Sequence, residues 1–206
     1  MSYNHQIGKG LVSIAAFYRF RNNAILPYTV LDENGVAFTQ PQNFGKAVTL
    51  GTEAIATYNP FSFYSFNASL PAFRVTIDDI GNASEVLQNL ITWYAKLVNN
   101  FSFGKYANLQ VTGNYTAPTA IPQGESVAVY FIDAGFQYKI IKDKGRLGAT
   151  ITDIFNTQES GFITIDSNFT FSRIFKQDTR AVMITFGYTF GTSFKEKLME
   201  NRFKND

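Results

Sequence analysis

The closing stretch of the sequence, residues 181–191, alternates between two kinds of side chain. One set is apolar or aromatic, and the other is small or weakly polar apart from one methionine: Val182, Ile184, Phe186, Tyr188 and Phe190 against Ala181, Met183, Thr185, Gly187 and Thr189. Because successive side chains of a β-strand point to opposite faces, this period of two predicts a strand with one apolar face.

The same period recurs along the chain and predicts eight strands. They cover residues 12–20, 48–58, 64–72, 91–101, 107–117, 128–140, 147–155 and 181–191. The cleanest is 107–117, where apolar residues such as Val111 alternate without a break with polar residues such as Thr112. In the seventh strand the alternation slips at Asp153 and Ile154, which indicates a bulge or a strand end.

The connections between the predicted strands alternate in length. Tight turns are expected around residues 59–62, 102–105 and 142–146, and long connections over 22–46, about 75–86, about 118–126 and about 158–178. An antiparallel meander with short turns at one end and long loops at the other is typical of transmembrane barrels. Helix signals are weak, apart from one candidate short helix at 194–203.

Composition excludes several classes of function. Charged residues make up 17% of the 206 residues and the net charge is +2, so the chain offers no electrostatic case for nucleic acid as a partner. The absence of cysteine excludes disulfides, thiolate catalysis and Cys-ligated metals. No apolar run approaches the ~18 residues that a transmembrane helix needs. The opening MSYNHQIGKGLVS lacks the features of a signal peptide.

The polar side of the predicted strands distinguishes a soluble sheet from a membrane sheet. A soluble sheet usually faces water with many Lys, Glu and Arg residues. Here the polar positions are mostly Asn, Gln, Thr, Ser and Gly, which suits a barrel lumen or a neighbouring plug better than bulk water. The candidate lumen-facing polar residues are Glu53, Lys96, Gln110, Asn114, Asp133 and Lys139.

The apolar side carries aromatic residues toward the strand ends, including Tyr58, Phe66, Tyr130 and Tyr138, and aliphatic residues in the middles. Amphipathic rings favour the membrane–water boundary, whereas a soluble core would need a buried partner for each tyrosine hydroxyl. The pattern therefore favours an all-β, antiparallel, up-and-down transmembrane β-barrel with lipid outside. The alternative is a soluble up-and-down β-barrel that binds a small apolar ligand inside.

Four short motifs follow one another along the chain: FYRFRNNAI at 17–25, GNYTAP at 113–118, DIFNT at 153–157 and ITFGYTFG at 184–191. In this order they resemble the C-terminal part of the outer membrane β-barrel family related to TonB-dependent receptors of Gram-negative bacteria. The resemblance covers nearly the whole chain. It implies an outer-membrane location, contact with outer-membrane lipid, and a role in nutrient uptake as pore wall and extracellular loops.

Members of that family are longer, with barrels of about 22 strands, a signal peptide and an N-terminal plug with a TonB-contacting segment. The resemblance implies that residues 1–191 are a barrel segment, followed by a short charged tail at 192–206, and that the missing N-terminal barrel and plug are partners. Such a fragment is not expected to transport alone; closure as a complete small barrel stays open. The strand end with Phe186, Tyr188 and Phe190, expected to face lipid, resembles the signal that barrel-assembly machinery reads.

No constellation of residues predicts catalysis, a cofactor site or a metal site. The single histidine, His5, has no second histidine or cysteine with which to hold a metal ion. Glu53 and Asp133 come closest to an acid–base pair. They are expected instead to line the lumen and to pair with Lys96, with Lys139 or with a plug. The chain is therefore expected not to be an enzyme.

Overall fold

A computed structural model describes residues 1–78, 90–121, 123–141, 144–165 and 169–190. Within these residues the chain forms thirteen strands: β1 Ser2–Ile7, β2 Gly10–Leu31, β3 Ala37–Phe61, β4 Tyr64–Asp78, β5 Ile91–Phe103, β6 Ala107–Thr116, β7 Ala120–Ile121, β8 Gly124–Ser126, β9 Val129–Ile140, β10 Gly145–Ile151, β11 Ser160–Ile165, β12 Thr170–Phe175 and β13 Val182–Tyr188. This part of the chain holds no helix of the length and apolarity needed to cross a membrane. The candidate helix at 194–203 and the tail at 192–206 lie outside the described residues.

Nine of the strands form one antiparallel sheet in the order β1-β2-β3-β4-β5-β6-β9-β10-β13. The predicted all-β, antiparallel meander is confirmed, and the eight predicted strands correspond to β2 to β6, β9, β10 and β13. The ninth strand, β1, is absent from the prediction because Tyr3, His5 and Ile7 give only a short alternation. It pairs with the start of β2, where Tyr3 lies opposite Ile14.

The two ends of this sheet differ as the sequence predicts. At one end, turns cover residues 8–9, 62–63 and 104–106, and a short link joins Ile140 of β9 to Gly145 of β10. The last three correspond to the predicted tight turns, although residues 142–143 of the third lie outside the described residues. We call this the short-turn end. The opposite end, which we call the long-connection end, holds the links from β2 to β3, β4 to β5, β6 to β9 and β10 to β13.

The prediction of a long connection over residues 22–46 is wrong. β2 and β3 continue through this region as a hairpin that turns between Leu31 and Ala37. The Asp32 carboxylate organises the turn by accepting the backbone N–H of Asn34 at 2.9 Å and that of Val36 at 2.7 Å. Most side chains of this extension are exposed on both faces, so neither face needs to be apolar and the alternation is lost. The hydrogen bonds between the two backbones continue without it.

The other long connections contain strands that the alternation does not predict. β4 runs to Asp78, inside the connection expected at 75–86, and residues 79–89 lie outside the described residues. The connections expected at 118–126 and 158–178 contain β7, β8, β11 and β12, which form a second antiparallel sheet in the order β12-β11-β8-β7. β8 approaches β11 so closely that a Cβ at Gly124 would overlap the carbonyl oxygen of Ile163.

The edges of the nine-stranded sheet are β1 and β13. Every neighbouring pair in the sheet is antiparallel. Strand direction therefore alternates across the sheet, and the first and ninth strands run in the same direction. A direct pairing of β1 with β13 would consequently be parallel.

Candidate functional site

The registers of the nine-stranded sheet gather the predicted apolar residues on one face. Directly opposed residues of an antiparallel pair share a face, and one such row links Ala56, Ala68, Leu97, Gly113 and Ile132. We call this face the apolar face. Its larger members include Ile14, Tyr18, Leu50, Leu70, Leu97, Val111, Ile132, Phe136, Leu147, Ile184 and Phe186.

The large side chains of the apolar face are not covered by the described part of the chain. Ile184 is 74% exposed, Tyr18 66% and Leu50 61%. Among the described residues, the only buried hydrophobic side chains are alanines, at positions 24, 107 and 117. Large aliphatic and aromatic residues form the core of soluble domains, so this arrangement is the reverse of a soluble fold.

All six polar residues singled out in the sequence lie on the opposite face, which we call the polar face. Lys96, Gln110, Asn114 and Asp133 line one shallow cavity of about 440 Å³. Within it Lys96 lies opposite Asn114, and Gln110 donates to the Asn100 side chain at 2.9 Å. Glu53 and Lys139 complete the six, and the structure does not bring them to this cavity. That the polar face lines a lumen stays a prediction.

The expected pairing of the carboxylates with Lys96 or Lys139 is not seen in the described residues. Asp133 instead accepts the backbone N–H of Asp153 at 2.9 Å. The one ion pair found in this part of the chain joins Lys176 and Glu159 at the long-connection end, with 3.9 Å between nitrogen and oxygen. Asp133 thus acts as an anchor for the following loop.

The aromatic residues at the end of β13 lie on the apolar face or just beyond it. Phe186 lies opposite Leu147, and Tyr188 lies opposite Gly145 at the short-turn end. Phe190 follows the strand, is 87% exposed, and packs its ring edge-on against Tyr188 with 4.7 Å between centroids. The structure therefore presents this aromatic cluster outward at the edge strand.

A larger cavity, of about 760 Å³, lies against the polar face near the long-connection end. β2, β3, β4 and β5 supply one side of it, and residues 119–121 at β7 lie across it. Glu53 is at this cavity, together with Arg19 and Arg21. The link from β6 to β9 therefore folds over the polar face.

Sequence reasoning does not identify Arg21 as a site residue, although it alternates with Arg19 and Phe17. Asn23 follows Arg21 by two residues, and its φ of 52° lies in the left-handed region that asparagine tolerates. Before Asn23 the residues of β2 that line the large cavity are odd-numbered, and after it they are Ala24, Leu26 and Pro27. The backbone at Asn23 thus changes which side chains of β2 face the cavity.

The DIFNT motif forms a hydrogen-bonded hub at the end of β10. The Asp153 side chain is fully buried. Its φ of 44° lies in the left-handed region, two residues beyond the end of β10 and at the point where the alternation slips. Its carboxylate accepts the backbone N–H of Thr157 at 2.8 Å, that of Gln158 at 3.1 Å and the hydroxyl of Thr179 at 2.5 Å. Thr157 in turn donates to the carbonyl of Tyr130 in β9 at 2.7 Å.

The charge state of Asp153 follows from these contacts. Burial by itself raises the pKa of the Asp153 carboxyl. The hydrogen bonds from the Thr179 hydroxyl and from the amides of Thr157 and Gln158, with the charge of Lys176, outweigh burial and hold the pKa below its ordinary value. Asp153 is therefore ionised in the folded loop, and its charge organises both sides of the link from β10 to β13.

The described residues contain no group of three or more His, Asp or Glu arranged to hold a metal ion. His5 lies on β1 and stacks on Tyr3, with 6.1 Å between ring centroids. Neither ring contacts the cavities of the polar face.

Comparisons with known proteins give one finding. A family profile described as an outer membrane protein β-barrel family matches residues 1–188. Nothing matches among curated proteins, and nothing matches among solved structures.

Proposed function

The chain belongs to the outer membrane protein β-barrel family, and from this premise we propose that it forms part of the wall of a TonB-dependent-receptor-like barrel that takes up a nutrient. Lipid contacts the apolar face, and the polar face borders the path through the barrel. The long connections are extracellular and contact the nutrient. In this proposal no residue performs covalent chemistry.

The observation that carries the proposal is the exposed apolar face. A patch spanning nine strands far exceeds the few hundred Å² that a soluble monomer leaves exposed. The described residues hold no large buried apolar side chain that could form a core in its place. Contact with lipid would remove these side chains from water without any further protein. In the soluble alternative the apolar face would point inward, whereas the link from β6 to β9 folds over the polar face.

The height of the apolar face supports a membrane-spanning role. On β9 the apolar positions run from Tyr130 to Ile140, which is about 33 Å along the strand at the usual rise per residue. At a tilt of about 40° this corresponds to about 25 Å, the height of the apolar band of outer-membrane barrels. The β2–β3 hairpin continues far beyond this band, as an extracellular extension does.

Strand direction supports a larger barrel. Bacterial outer-membrane barrels close with an even number of antiparallel strands, and lipid does not tolerate an open sheet edge. Because β1 and β13 run in the same direction, an odd number of further strands between them restores antiparallel pairing throughout. We assign these strands, and a plug within the lumen, to the rest of a Gram-negative outer-membrane receptor.

The end of β13 fits the proposed route to the membrane. Phe186 and Tyr188 lie on the apolar face of the edge strand, and Phe190 follows them at the short-turn end. We propose that this exposed aromatic end is recognised by barrel-assembly machinery. The same residues would afterwards contact lipid at the periplasmic boundary.

Single cysteines test which face meets lipid, because the chain has no cysteine of its own. Val111→Cys and Ile132→Cys report on the apolar face, and Gln110→Cys and Asn114→Cys are matched controls on the same two regions of the polar face. In intact outer membranes we expect a small water-soluble maleimide to label the controls and to spare the apolar-face thiols until detergent and urea unfold the protein. Equal labelling of both faces in folded protein would contradict the proposal.

The size of the native protein tests the larger barrel. An antibody against residues 192–206 should detect, in native outer membranes, a band much larger than the 23.1 kDa of this chain, and its migration should change on boiling. A heat-modifiable band at 23.1 kDa would show instead that the chain forms a barrel by itself. That result would remove the receptor assignment and leave the lipid-facing assignment standing.

A further inference from the structure

The cavity of about 760 Å³ combines an apolar floor with a basic wall. It lies on the polar face between the strands and β7, toward the extended hairpin. The six polar residues recognised in the sequence contribute only Glu53 to it. Its binding properties depend instead on aromatic and arginine side chains.

The floor is formed by aromatic rings that meet over a glycine. Phe17 and Phe73 lie on either side of Gly51, with 6.4 Å between their ring centroids. A Cβ at Gly51 would lie 2.7 Å from Cζ of Phe17 and 2.5 Å from Cβ of Phe73, so the rings occupy the space that a side chain would take. Tyr94 extends this floor, with its ring centroid 5.5 Å from that of Phe73.

The basic wall consists of Arg19 and Arg21. They are alternate residues of β2, so their Cα atoms are about 7 Å apart, and both side chains are exposed to the cavity. Within the described part of the chain, neither guanidinium forms an ion pair. Glu53 does not neutralise them, because it lies four residues along β3 from Thr49, the partner of Arg19, a distance of about 13 Å.

We propose that this cavity binds a flat, amphipathic organic anion of the aromatic carboxylate class. The carboxylate is held by Arg19 and Arg21, whose planar guanidinium groups match its geometry. The ring system lies over Phe17 and Phe73. The site rests on the proposed function in one respect, which is that the polar face encloses an aqueous space that solutes enter.

Calorimetry on the native protein, extracted from outer membranes into detergent micelles, tests the site with 2-naphthoate and its neutral amide, 2-naphthamide. We expect saturable binding of one naphthoate per chain and at least about tenfold weaker binding of the amide. Replacing both arginines, Arg19→Gln with Arg21→Gln, should weaken naphthoate binding by at least about tenfold and leave naphthamide binding unchanged.

Two further variants locate the binding. Arg146→Gln removes an arginine from the polar face at the short-turn end, outside the cavity, and should leave naphthoate binding unchanged. Ala47→Trp places a large ring inside the cavity and should abolish binding of both compounds. Equal affinity for naphthoate and naphthamide, or an unchanged affinity in the double arginine variant, would overturn the proposal.

Heat-modifiable migration and maleimide labelling of the same samples separate the two claims. If the apolar face is protected by micelles but naphthoate does not bind, the site is overturned and the proposed barrel stands. If the apolar face is freely labelled in folded protein, the proposed barrel fails whatever the calorimetry shows.

Discussion

The nine-stranded sheet and the long-connection end place polar and apolar side chains in opposite ways. Across the apolar face of the sheet, large residues such as Leu50, Tyr18 and Ile184 are exposed. At the long-connection end the buried side chains larger than alanine are polar: Thr29, Thr92, Gln123, Asp153 and Thr164. Neither region resembles the apolar interior of a soluble domain.

The difference indicates what stabilises each region. In the sheet, the hydrogen bonds between strands satisfy the backbone N–H and C=O groups, and the medium outside the sheet covers the large apolar side chains. The stability of the sheet therefore depends on whether lipid or water contacts its apolar face. At the long-connection end, side chains replace the ladder. Gln123 accepts the backbone N–H of Thr29 at 2.6 Å and donates to its carbonyl at 2.8 Å, while Asp153 binds the two halves of another link.

The largest loss of stability is expected when a charge is placed on the apolar face of the sheet. Val111 lies in the middle of β6, opposite Ala134, and Val111→Arg should destabilise the folded protein by about 2–4 kcal/mol in phospholipid vesicles, because a charge at the membrane midplane loses its hydration. Urea unfolding followed by the heat-modifiable gel shift measures this cost. Thr112→Arg, one residue along and on the polar face, is the matched control and should change the unfolding free energy by less than about 1 kcal/mol.

A pH change should act on the long-connection end and leave the sheet folded. The pKa of Asp153 is lowered in the fold, so its contribution to stability is complete above the ordinary value of about 3.9 and is lost as pH falls through the lower folded value. We expect the amides of residues 152–165 and 169–181 to lose protection below about pH 4. Hydrogen exchange, corrected for the intrinsic rate at each pH, measures this loss.

Two substitutions identify Asp153 as the group that titrates. Asp153→Asn tolerates the positive φ but cannot accept every hydrogen bond that the carboxylate accepts, so the same amides should exchange about tenfold faster at neutral pH and lose their acid transition. Asp178→Asn alters an exposed neighbour and should keep the acid transition. An unchanged transition in Asp153→Asn would contradict the assignment.

A smaller effect than that of Val111→Arg is expected where the hairpin of β2 and β3 meets the residue before β8. Gln123→Ala leaves the N–H and carbonyl of Thr29 without their side-chain partner, which should cost about 1–3 kcal/mol of local stability. The loss should appear as faster hydrogen exchange at Thr29 with little change in the sheet. Gln42→Ala removes an exposed glutamine of the same hairpin and serves as the control.

The alternation of residues predicts the strands of the sheet in which one face is apolar. It does not predict the strands in which neither face needs to be apolar. The alternation in β6 and β9, for example, is regular enough to place Val111 and Ile132 on the same apolar face. β7 and β8 have too few residues for a period to be visible, and they form because β8 pairs with β11 and β7 pairs with β8. The β2–β3 extension is held by the same ladder as the sheet, but without the pattern.

For the candidate site, the sequence predicts which face each polar residue lies on but not the contacts that it makes. Alternation places Glu53, Lys96 and Asp133 on one face, and the registers agree with that placement. Alternation cannot show that Asp133 anchors a backbone amide, because that contact depends on the positive φ of Asp153. The arginine cavity likewise depends on the fold of β7 over the strands, which has no periodic signal.

The smallest expected change in stability comes from the ion pair at the long-connection end, and it can be compared with the contribution of the hydrogen bonds that the same lysine makes. Lys176 lies 3.9 Å from Glu159, and both side chains are partly exposed, so Glu159→Gln should change stability by less than about 0.5 kcal/mol. Lys176→Met should cost more, since its ammonium also donates to the carbonyls of Asn156 at 2.5 Å and Gln158 at 3.2 Å. Hydrogen exchange of the amides around Asp153 compares the two variants. Equal effects would mean that the ion pair, rather than the hydrogen bonds from Lys176 to the backbone, holds this loop. The conclusion that side chains satisfy the backbone groups of the loops, as neighbouring strands do in the sheet, would then be wrong for this loop.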